Sequence, residues 1–154
     1  MDPIEENLGR MGLTLPVAAV PAASYVPFKI HGDTLILSGV ICIRDGVMTH
    51  TGQVGAAQTV ESAYEAAKVC ALNILASIKL ALGQLDRVQE FLFVSGYVNA
   101  VSGFDKSPQV INGASDLFVA LYGERGRHAR AAVAVAGLPR NSTVEIQVTV
   151  VFKP

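Results

Sequence analysis

The sequence predicts an α+β fold in which one mixed β-sheet carries two helices on the same face. Short apolar or alternating stretches, bounded by turn residues such as Gly and Pro, are typical of strands. Two longer stretches, residues 57–82 and 108–122, instead repeat apolar side chains every three to four positions, as helices do. The resulting order, β-β-(β)-α-β-α-β-β, predicts crossover connections that place both helices on one face.

Residues 1–24 are predicted to form an N-terminal extension, and residues 25–154 a single domain. The extension starts with a short amphipathic helix over residues 3–13, because proline suits a first turn and acidic side chains stabilise the positive helix end. Pro16 and Pro21 then exclude regular helix and predict an extended segment along the surface. The extension carries no recognisable chemistry.

The sheet is predicted to begin with a hairpin. Apolar and polar residues alternate over residues 25–31, and Gly32-Asp33 is a two-residue turn of the kind that closes hairpins. Residues 35–43 are apolar on both faces and predict an interior strand. A second tight turn leads into a short third strand over residues 47–50.

The two predicted helices alternate with the remaining strands. Gly83 ends the first helix, and residues 87–99 predict a long strand. Ser107-Pro108 suits the start of the second helix, because a hydroxyl cap precedes a proline. Two apolar runs within residues 128–153 supply the last strands, and whether these pair directly is left open. No helix remains for the second apolar face of the sheet, which predicts association of subunits through that face.

Composition limits the classes of function. Hydrophobic residues make up 51% of the chain and charged residues 16%, which also favours a subunit interface. The net charge of −1 argues against general electrostatic binding to nucleic acid. No apolar run is long enough to span a membrane, and the acidic start lacks the basic region of a signal peptide. Cys42 and Cys70 lie in apolar runs, which indicates buried thiols and a cytoplasmic protein.

The candidate chemistry centres on Arg130, which shares a strand face with small alanine side chains. Its planar guanidinium could bind a small anion, because two of its N–H groups can donate parallel hydrogen bonds to one carboxylate. It could equally form a buried ion pair with Glu145. Neither a nucleophile elbow nor a phosphate-binding loop is present, and the three histidines are too scattered to predict a metal site.

The last two strands carry a signature that resembles that of a known family. It comprises Ala129-Arg130, Val133, Val135, Leu138-Pro139 and Val144-Glu145-Ile146. This pattern is similar to the C-terminal signature of the YjgF/RidA family, enamine/imine deaminases also called L-PSP endoribonucleases. Supporting matches lie at Tyr25-Val26, Ser38-Gly39, Phe104 and Asn112. The resemblance runs from about Tyr25 to the C-terminus and indicates a divergent branch with an N-terminal extension.

The resemblance implies a chorismate-mutase-like α+β fold, assembled as a homotrimer with ligand clefts between subunits. In such a cleft Arg130 would hold the carboxylate of a small metabolite such as a 2-imino, 2-keto or amino acid. The implied substrate-binding residues are Tyr25, Ser38, Gly39, Phe104, Asn112, Arg130 and Glu145. The better-known deaminases hydrolyse 2-imino or enamine acids to a 2-keto acid and ammonia, without a cofactor.

Two positions depart from the family pattern. The acid credited with positioning the attacking water is Gln147 here, and a neutral amide can orient water but cannot take its proton. The cysteine often found two residues after the arginine is Ala132. Gln147 is interpreted either as a cleft residue that acts with Arg130 in catalysis or as an ordinary strand residue.

Three functions are weighed on this basis. The first is a RidA-like hydrolase of 2-imino or enamine acids, and the second is a non-catalytic trimer that binds a small carboxylate. The third is an endoribonuclease, which rests only on the older family name and on the basic cluster at Arg125 and Arg127.

Overall fold

One mixed sheet with two long helices on one face forms the body of the protein, as predicted. The computed structural model describes residues 1–21 and 23–154, so Ala22 of the predicted extension lies outside the described residues. The helices are α1 (Pro3–Arg10), α2 (Val60–Leu82) and α3 (Ser107–Tyr122). The strands are β1 (Phe28–His31), β2 (Thr34–Leu37), β3 (Val40–Ile41), β4 (Ile43–Arg44), β5 (Val47–Met48), β6 (Val88–Asn99), β7 (Ala129–Val135) and β8 (Val144–Phe152).

The last two strands do not pair with each other. The sheet order is β1-β2-β8-β6-β7, with β3 also pairing with β8, while β4 and β5 form a separate hairpin. Strand β6 therefore lies between the last two strands, parallel to β7 and antiparallel to β8. The connection through α3 joins parallel neighbours, as a β-α-β unit requires.

Capping residues set the ends of the two long helices. Helix α2 begins at Val60, not at residue 57, because Thr59 forms a capping box with Ser62. The Thr59 hydroxyl accepts the backbone N–H of Ser62 at 3.1 Å, and the Ser62 hydroxyl accepts that of Thr59 at 2.9 Å. Helix α3 begins at Ser107 itself, after Lys106, which makes no side-chain capping bond, so the predicted hydroxyl cap at Ser107 is wrong. The helix ends before Gly123, whose φ of 62° suits glycine.

The predicted interior strand over residues 35–43 is wrong, because the chain is interrupted between β2 and β3 and again after β3. Asn73 of α2 holds the second break by donating to the carbonyls of Ile41 at 3.0 Å and Ile43 at 2.8 Å. The first break lies at Gly39, where a Cβ atom would come within 2.8 Å of a Glu145 carboxylate oxygen. The Glu145 side chain therefore lies close to the backbone at Gly39.

The two faces of the sheet differ in their cover. The helix face packs against α2 and α3 around buried side chains such as Phe91 and Phe118, whose ring centroids lie 4.6 Å apart. The second face, here called the open face, has no helix over it among the described residues. Its side chains include Ile36, Phe93, Tyr97, Val133, Glu145, Gln147 and Thr149. Ile36 and Val133 are each 47% exposed, so an apolar surface is left uncovered in the single chain.

The N-terminal helix is held firmly against the domain. Ile4 and Leu8 of α1 are buried in the core, and the helix ends at Arg10, before the predicted residue 13. Asp2 caps the helix by accepting from Ile4 at 2.9 Å, and it also accepts the backbone N–H of Leu85 at 2.6 Å.

Both cysteines are free and buried, as expected from the apolar runs that contain them. Across the described part of the chain, none of the helices has the length and apolar character needed to cross a membrane.

Candidate ligand-binding site

Arg130 lies on β7 and points to the helix face of the sheet. Its register partner on β6 is Val94, which is fully buried, and side chains opposite each other in a sheet share a face. The Nη1 atom of Arg130 donates to Oδ1 of Asn112 at 2.8 Å and to Oγ of Ser115 at 3.2 Å. The Nη2 atom donates to the carbonyl of Pro108 at 3.3 Å, so α3 positions the guanidinium.

The alternative of a buried ion pair between Arg130 and Glu145 is wrong. Glu145 is the register partner of Tyr97 on the open face, because neighbours along β8 alternate between the faces. The sheet itself separates the two side chains. Among the ion pairs of the described residues, none involves Arg130.

A serine and a histidine adjoin the guanidinium. The Nδ1 atom of His128 lies 2.7 Å from the carbonyl of Gly126, which can only accept, so Nδ1 carries the proton of the neutral ring. Nε2 is then the acceptor for the Ser115 hydroxyl at 2.8 Å. Burial lowers the pKa of His128 from its usual 6.5, and the cations Arg130 and Arg127 lower it further, against the opposing effect of the Gly126 carbonyl.

These side chains line a cavity of about 530 Å³ between α3 and β7, here called the Arg130 cavity. Its wall consists of Asn112, Ser115, Asp116, Val119, Ala120, Arg127, His128 and Arg130. Asp116 accepts the Tyr64 hydroxyl at 2.7 Å, and this bond is the main reason why the pKa of Tyr64 rises to about 12. The cavity therefore contains two guanidinium groups, one carboxylate and a neutral imidazole.

Four other predicted residues meet at a second pocket, of about 350 Å³, which Tyr25, Ser38, Gly39 and Glu145 help to line. Ser38 donates to the carbonyl of Val26 at 2.5 Å, which fixes the segment that carries Tyr25. Burial raises the pKa of Glu145. Within one chain, the structure thus divides six of the predicted residues between two pockets, and Asn112 alone accompanies Arg130.

Gln147 and Phe104 lie outside both pockets. The amide of Gln147 donates to the carbonyls of Leu37 at 3.1 Å and Val148 at 3.0 Å, so its donors are used within the sheet. These contacts support the interpretation of Gln147 as an ordinary strand residue. Phe104 lines a separate pocket beside the N-terminal end of α2.

Sequence reasoning missed Ser115 and assigned no role to His128. A usable signal was present, because Asn112 and Ser115 are three residues apart on a helix and so share a face. His128 lies just before β7, two residues from Arg130, and both side chains line the same cavity. Placing the two pairs together, however, required knowing that β7 lies beside β6 and under α3.

Comparison with known proteins identifies the family. Residues 5–151 match the family model described as YjgF/chorismate mutase-like, putative endoribonuclease. The chain belongs to the YjgF/RidA family. This match confirms the resemblance carried by the signature around Arg130 and the predicted chorismate-mutase-like fold.

Similar proteins cover nearly the whole chain. Protein TCP17 of Trypanosoma cruzi is 42% identical over 148 residues, which are 96% of this chain and 92% of that protein. The crystal structure of Atu1372 from Agrobacterium tumefaciens, a protein of unknown function, is 46% identical with a TM-score of 0.92 and covers 97% and 92% of the two chains. A putative endoribonuclease from Shewanella oneidensis is 32% identical with a TM-score of 0.94 and covers 98% and 100%.

Proposed function

We propose that this protein binds a small carboxylate metabolite, a 2-imino, 2-keto or amino acid, through Arg130. One observation carries the proposal: a half-buried guanidinium lines a cavity and has no carboxylate partner among the described residues. A guanidinium removed from water is costly unless its charge is compensated. An anionic ligand in the Arg130 cavity would supply that compensation.

The hydrogen bonds of Arg130 leave room for such a ligand. A guanidinium has five N–H donors, and three of them are used toward Asn112, Ser115 and Pro108. Two donors therefore remain for a carboxylate, which pairs best with a planar fork. Because Asn112 and Ser115 stand on one helix, they hold the fork in place before the ligand arrives, which lowers the entropic cost of binding.

We propose a homotrimer assembled through the open face as the functional form. The open face exposes Ile36, Phe93 and Val133, an apolar surface that suits a subunit contact. Tyr25, Ser38, Gly39 and Glu145 would then reach a ligand from a neighbouring subunit, as the clefts implied by the family require. In this trimer, residues 1–24 would be an extension to the domain of each subunit, and the trimer would act in the cytoplasm.

The proposed reaction is hydrolysis of a 2-imino or enamine acid to a 2-keto acid and ammonia. Family membership and the free donors of Arg130 support it. A ribonuclease function has less support, because the basic cluster is engaged within the chain. Arg125 pairs with Asp86 at 3.1 Å and donates to the carbonyl of Val88 at 2.9 Å, while Arg127 contacts Glu124 at 3.2 Å.

Calorimetric titration with pyruvate, a stable 2-keto acid, tests the binding step. Arg130→Ala should weaken pyruvate binding by about tenfold to a hundredfold, since a hydrogen bond to a charged group contributes about 1.5–3 kcal/mol. Arg10→Ala, at an exposed arginine of α1, is the matched control and should bind as the wild type does. Equal binding by the wild type and Arg130→Ala, or no binding by either, would contradict the proposed site.

The reaction is tested separately by release of 2-keto acid from freshly generated 2-aminoacrylate. The wild type should exceed the uncatalysed rate, and Arg130→Ala should return to it. A protein that binds pyruvate but leaves the uncatalysed rate unchanged would be the non-catalytic binder of the second hypothesis.

A further inference from the structure

The contacts of Ser115 and His128 go beyond what is needed to hold Arg130. The guanidinium is already fixed by Asn112 and by the carbonyl of Pro108. Yet Ser115 also donates to a histidine whose ring is oriented by the carbonyl of Gly126. A hydroxyl bonded to an imidazole, with a third group that orients the imidazole, is the arrangement that enzymes use to move a proton away from a reacting oxygen.

We propose that Ser115 and His128 form a proton relay that takes the proton of the water attacking a ligand held at Arg130. The relay rests on the hydrolysis proposed above and assigns to it the base that Gln147 cannot be. Gln147 stands on the open face with its amide donors used within the sheet, whereas Ser115 and His128 share the helix face and the cavity with Arg130.

The direction of proton transfer follows from the hydrogen bonds. Because Nδ1 of His128 donates to the Gly126 carbonyl, Nε2 has a free electron pair, which points at the Ser115 hydroxyl. The Ser115 oxygen has two acceptor positions, of which Arg130 Nη1 uses one at 3.2 Å. The other remains for a water molecule in the cavity.

The surroundings keep the imidazole neutral and therefore able to accept a proton. His128 is half-buried, with the ring of Phe118 edge-on to it at a centroid distance of 6.1 Å. The charged groups that share the cavity with it are Arg127, Arg130 and Asp116, and the two cations oppose a further positive charge on the ring. A bound carboxylate would offset part of the charge of Arg130 and so favour proton transfer at the moment when it is needed.

The reaction balances with these groups alone. The water oxygen bonds to C2 of the 2-imino acid while its proton passes to Oγ of Ser115, and the Ser115 proton passes to Nε2 of His128. The proton then returns from Nε2 through Ser115 to the nitrogen on C2, which gives a carbinolamine. The relay next carries the hydroxyl proton of the carbinolamine to the same nitrogen along the same path. The C–N bond breaks, ammonia leaves and the carbonyl forms, so that imino acid and water give 2-keto acid and ammonia with His128 neutral again.

The test separates binding from turnover in the full-length protein. His128→Gln keeps an acceptor for the Ser115 hydroxyl but removes the basic nitrogen, and Ser115→Ala removes the link. Each should lower kcat toward 2-iminopropanoate, generated in place, by about 10²–10⁴-fold, which is the usual contribution of general-base catalysis. In His128→Gln, pyruvate affinity should stay within about threefold of wild type, because the Asn112 and Ser115 contacts to Arg130 remain.

Two further measurements distinguish a relay from mere support of Arg130. The kcat/KM of the wild type should fall as pH decreases through the lowered pKa of His128, and this step should be absent in His128→Gln. Ser115→Thr, which retains a hydroxyl, should recover most of the rate lost in Ser115→Ala. His31→Gln, at an exposed histidine of β1, is the matched control and should leave both kcat and the pH profile unchanged.

The outcomes also distinguish the relay from the proposed function. Wild-type turnover that persists unchanged in His128→Gln and Ser115→Ala would overturn the relay and leave the hydrolase intact. Pyruvate binding without any turnover would overturn both the relay and the reaction but not the ligand site. If kcat and pyruvate affinity fell by the same factor in His128→Gln, the two side chains would be supports for Arg130 only.

Discussion

The two polar clusters of this chain are built in different ways. The cluster in the Arg130 cavity stands on regular structure, with Asn112 and Ser115 on α3 and Arg130 on β7. The cluster around Glu145 instead depends on a break in the sheet, where Ser38-Gly39 separates β2 from β3. A site on helices and strands is held more precisely than one on irregular chain. The first cluster is therefore expected to be the more rigid of the two.

Each cluster also depends on one glycine, and the two glycines meet different obstacles. A Cβ atom at Gly113 of α3 would clash with the backbone carbonyl oxygen of Tyr64 on α2. At Gly39 the obstacle is the end of the Glu145 side chain, 2.8 Å away. Backbone in a packed helix cannot move aside, whereas a half-buried side chain can rotate.

Gly113→Ala is therefore predicted to be the most damaging of the changes considered. Alanine should stabilise a helix by about 0.8–1.0 kcal/mol over glycine, but the clash between α2 and α3 should cost about 3 kcal/mol or more. Urea unfolding would measure the net loss. Gly9→Ala in α1 is the matched control, since its Cβ would meet open space, and it should be neutral or stabilising. Equal stability of the two variants would mean that the contact between α2 and α3 adapts freely.

Gly39→Ala is predicted to have a smaller effect on stability and a local effect on Glu145. Displacing the Glu145 carboxylate should lower the free energy of unfolding by about 1–2 kcal/mol, which is at the lower end of the range for overpacked sites. Gly137→Ala, whose Cβ would meet open space, should stay within about 0.5 kcal/mol of wild type in the same urea experiment. A loss at Gly39 as large as that at Gly113 would show that this cluster is just as rigid.

The sequence predicted the regular elements well because their signals are local. The hydrophobic periodicity, the residues at the helix ends and the turn residues placed α2, α3 and β6 to within a few residues. The family signature identified Arg130 as the candidate ligand-binding residue. The break after Ile41 was not predictable in this way, because Asn73, which holds it by donating to the carbonyls of Ile41 and Ile43, lies some thirty positions along the chain. Apolar content alone could not distinguish one strand from interrupted ones.

The site was only partly predictable, for a related reason. The alternative of an ion pair between Arg130 and Glu145 required the last two strands to be neighbours. With β6 between β7 and β8, the register assigns Arg130 to the face of Val94 and Glu145 to the face of Tyr97. A strand order is a long-range property, so the face that a side chain shares with another strand cannot be read from one strand alone.

Gln147→Glu tests whether the open face also carries the chemistry. The carboxylate cannot donate to the carbonyls of Leu37 and Val148, so the change should lower the free energy of unfolding by about 1 kcal/mol. Imine hydrolysis should not increase, since the proposed base lies in the Arg130 cavity. Gln89→Glu at an exposed position of β6 is the control and should change neither quantity. A tenfold gain in kcat for Gln147→Glu would instead place the water-activating group on the open face.

The smallest expected effect is the pH dependence of stability at His128. Its pKa in the folded protein lies below the 6.5 of the unfolded chain, so between those values the unfolded chain binds more protons. The contribution of neutral His128 to the free energy of unfolding is therefore fully present above about pH 6.5. It is lost as the pH falls through the pKa of His128 in the folded protein. Urea unfolding near neutral pH and again in mild acid measures how far the free energy of unfolding decreases with pH. The decrease should be smaller in His128→Gln than in the wild type, since the carboxylates contribute equally to both proteins. Identical decreases would mean that His128 titrates as in an unfolded chain, and the cavity would then not hold the imidazole neutral.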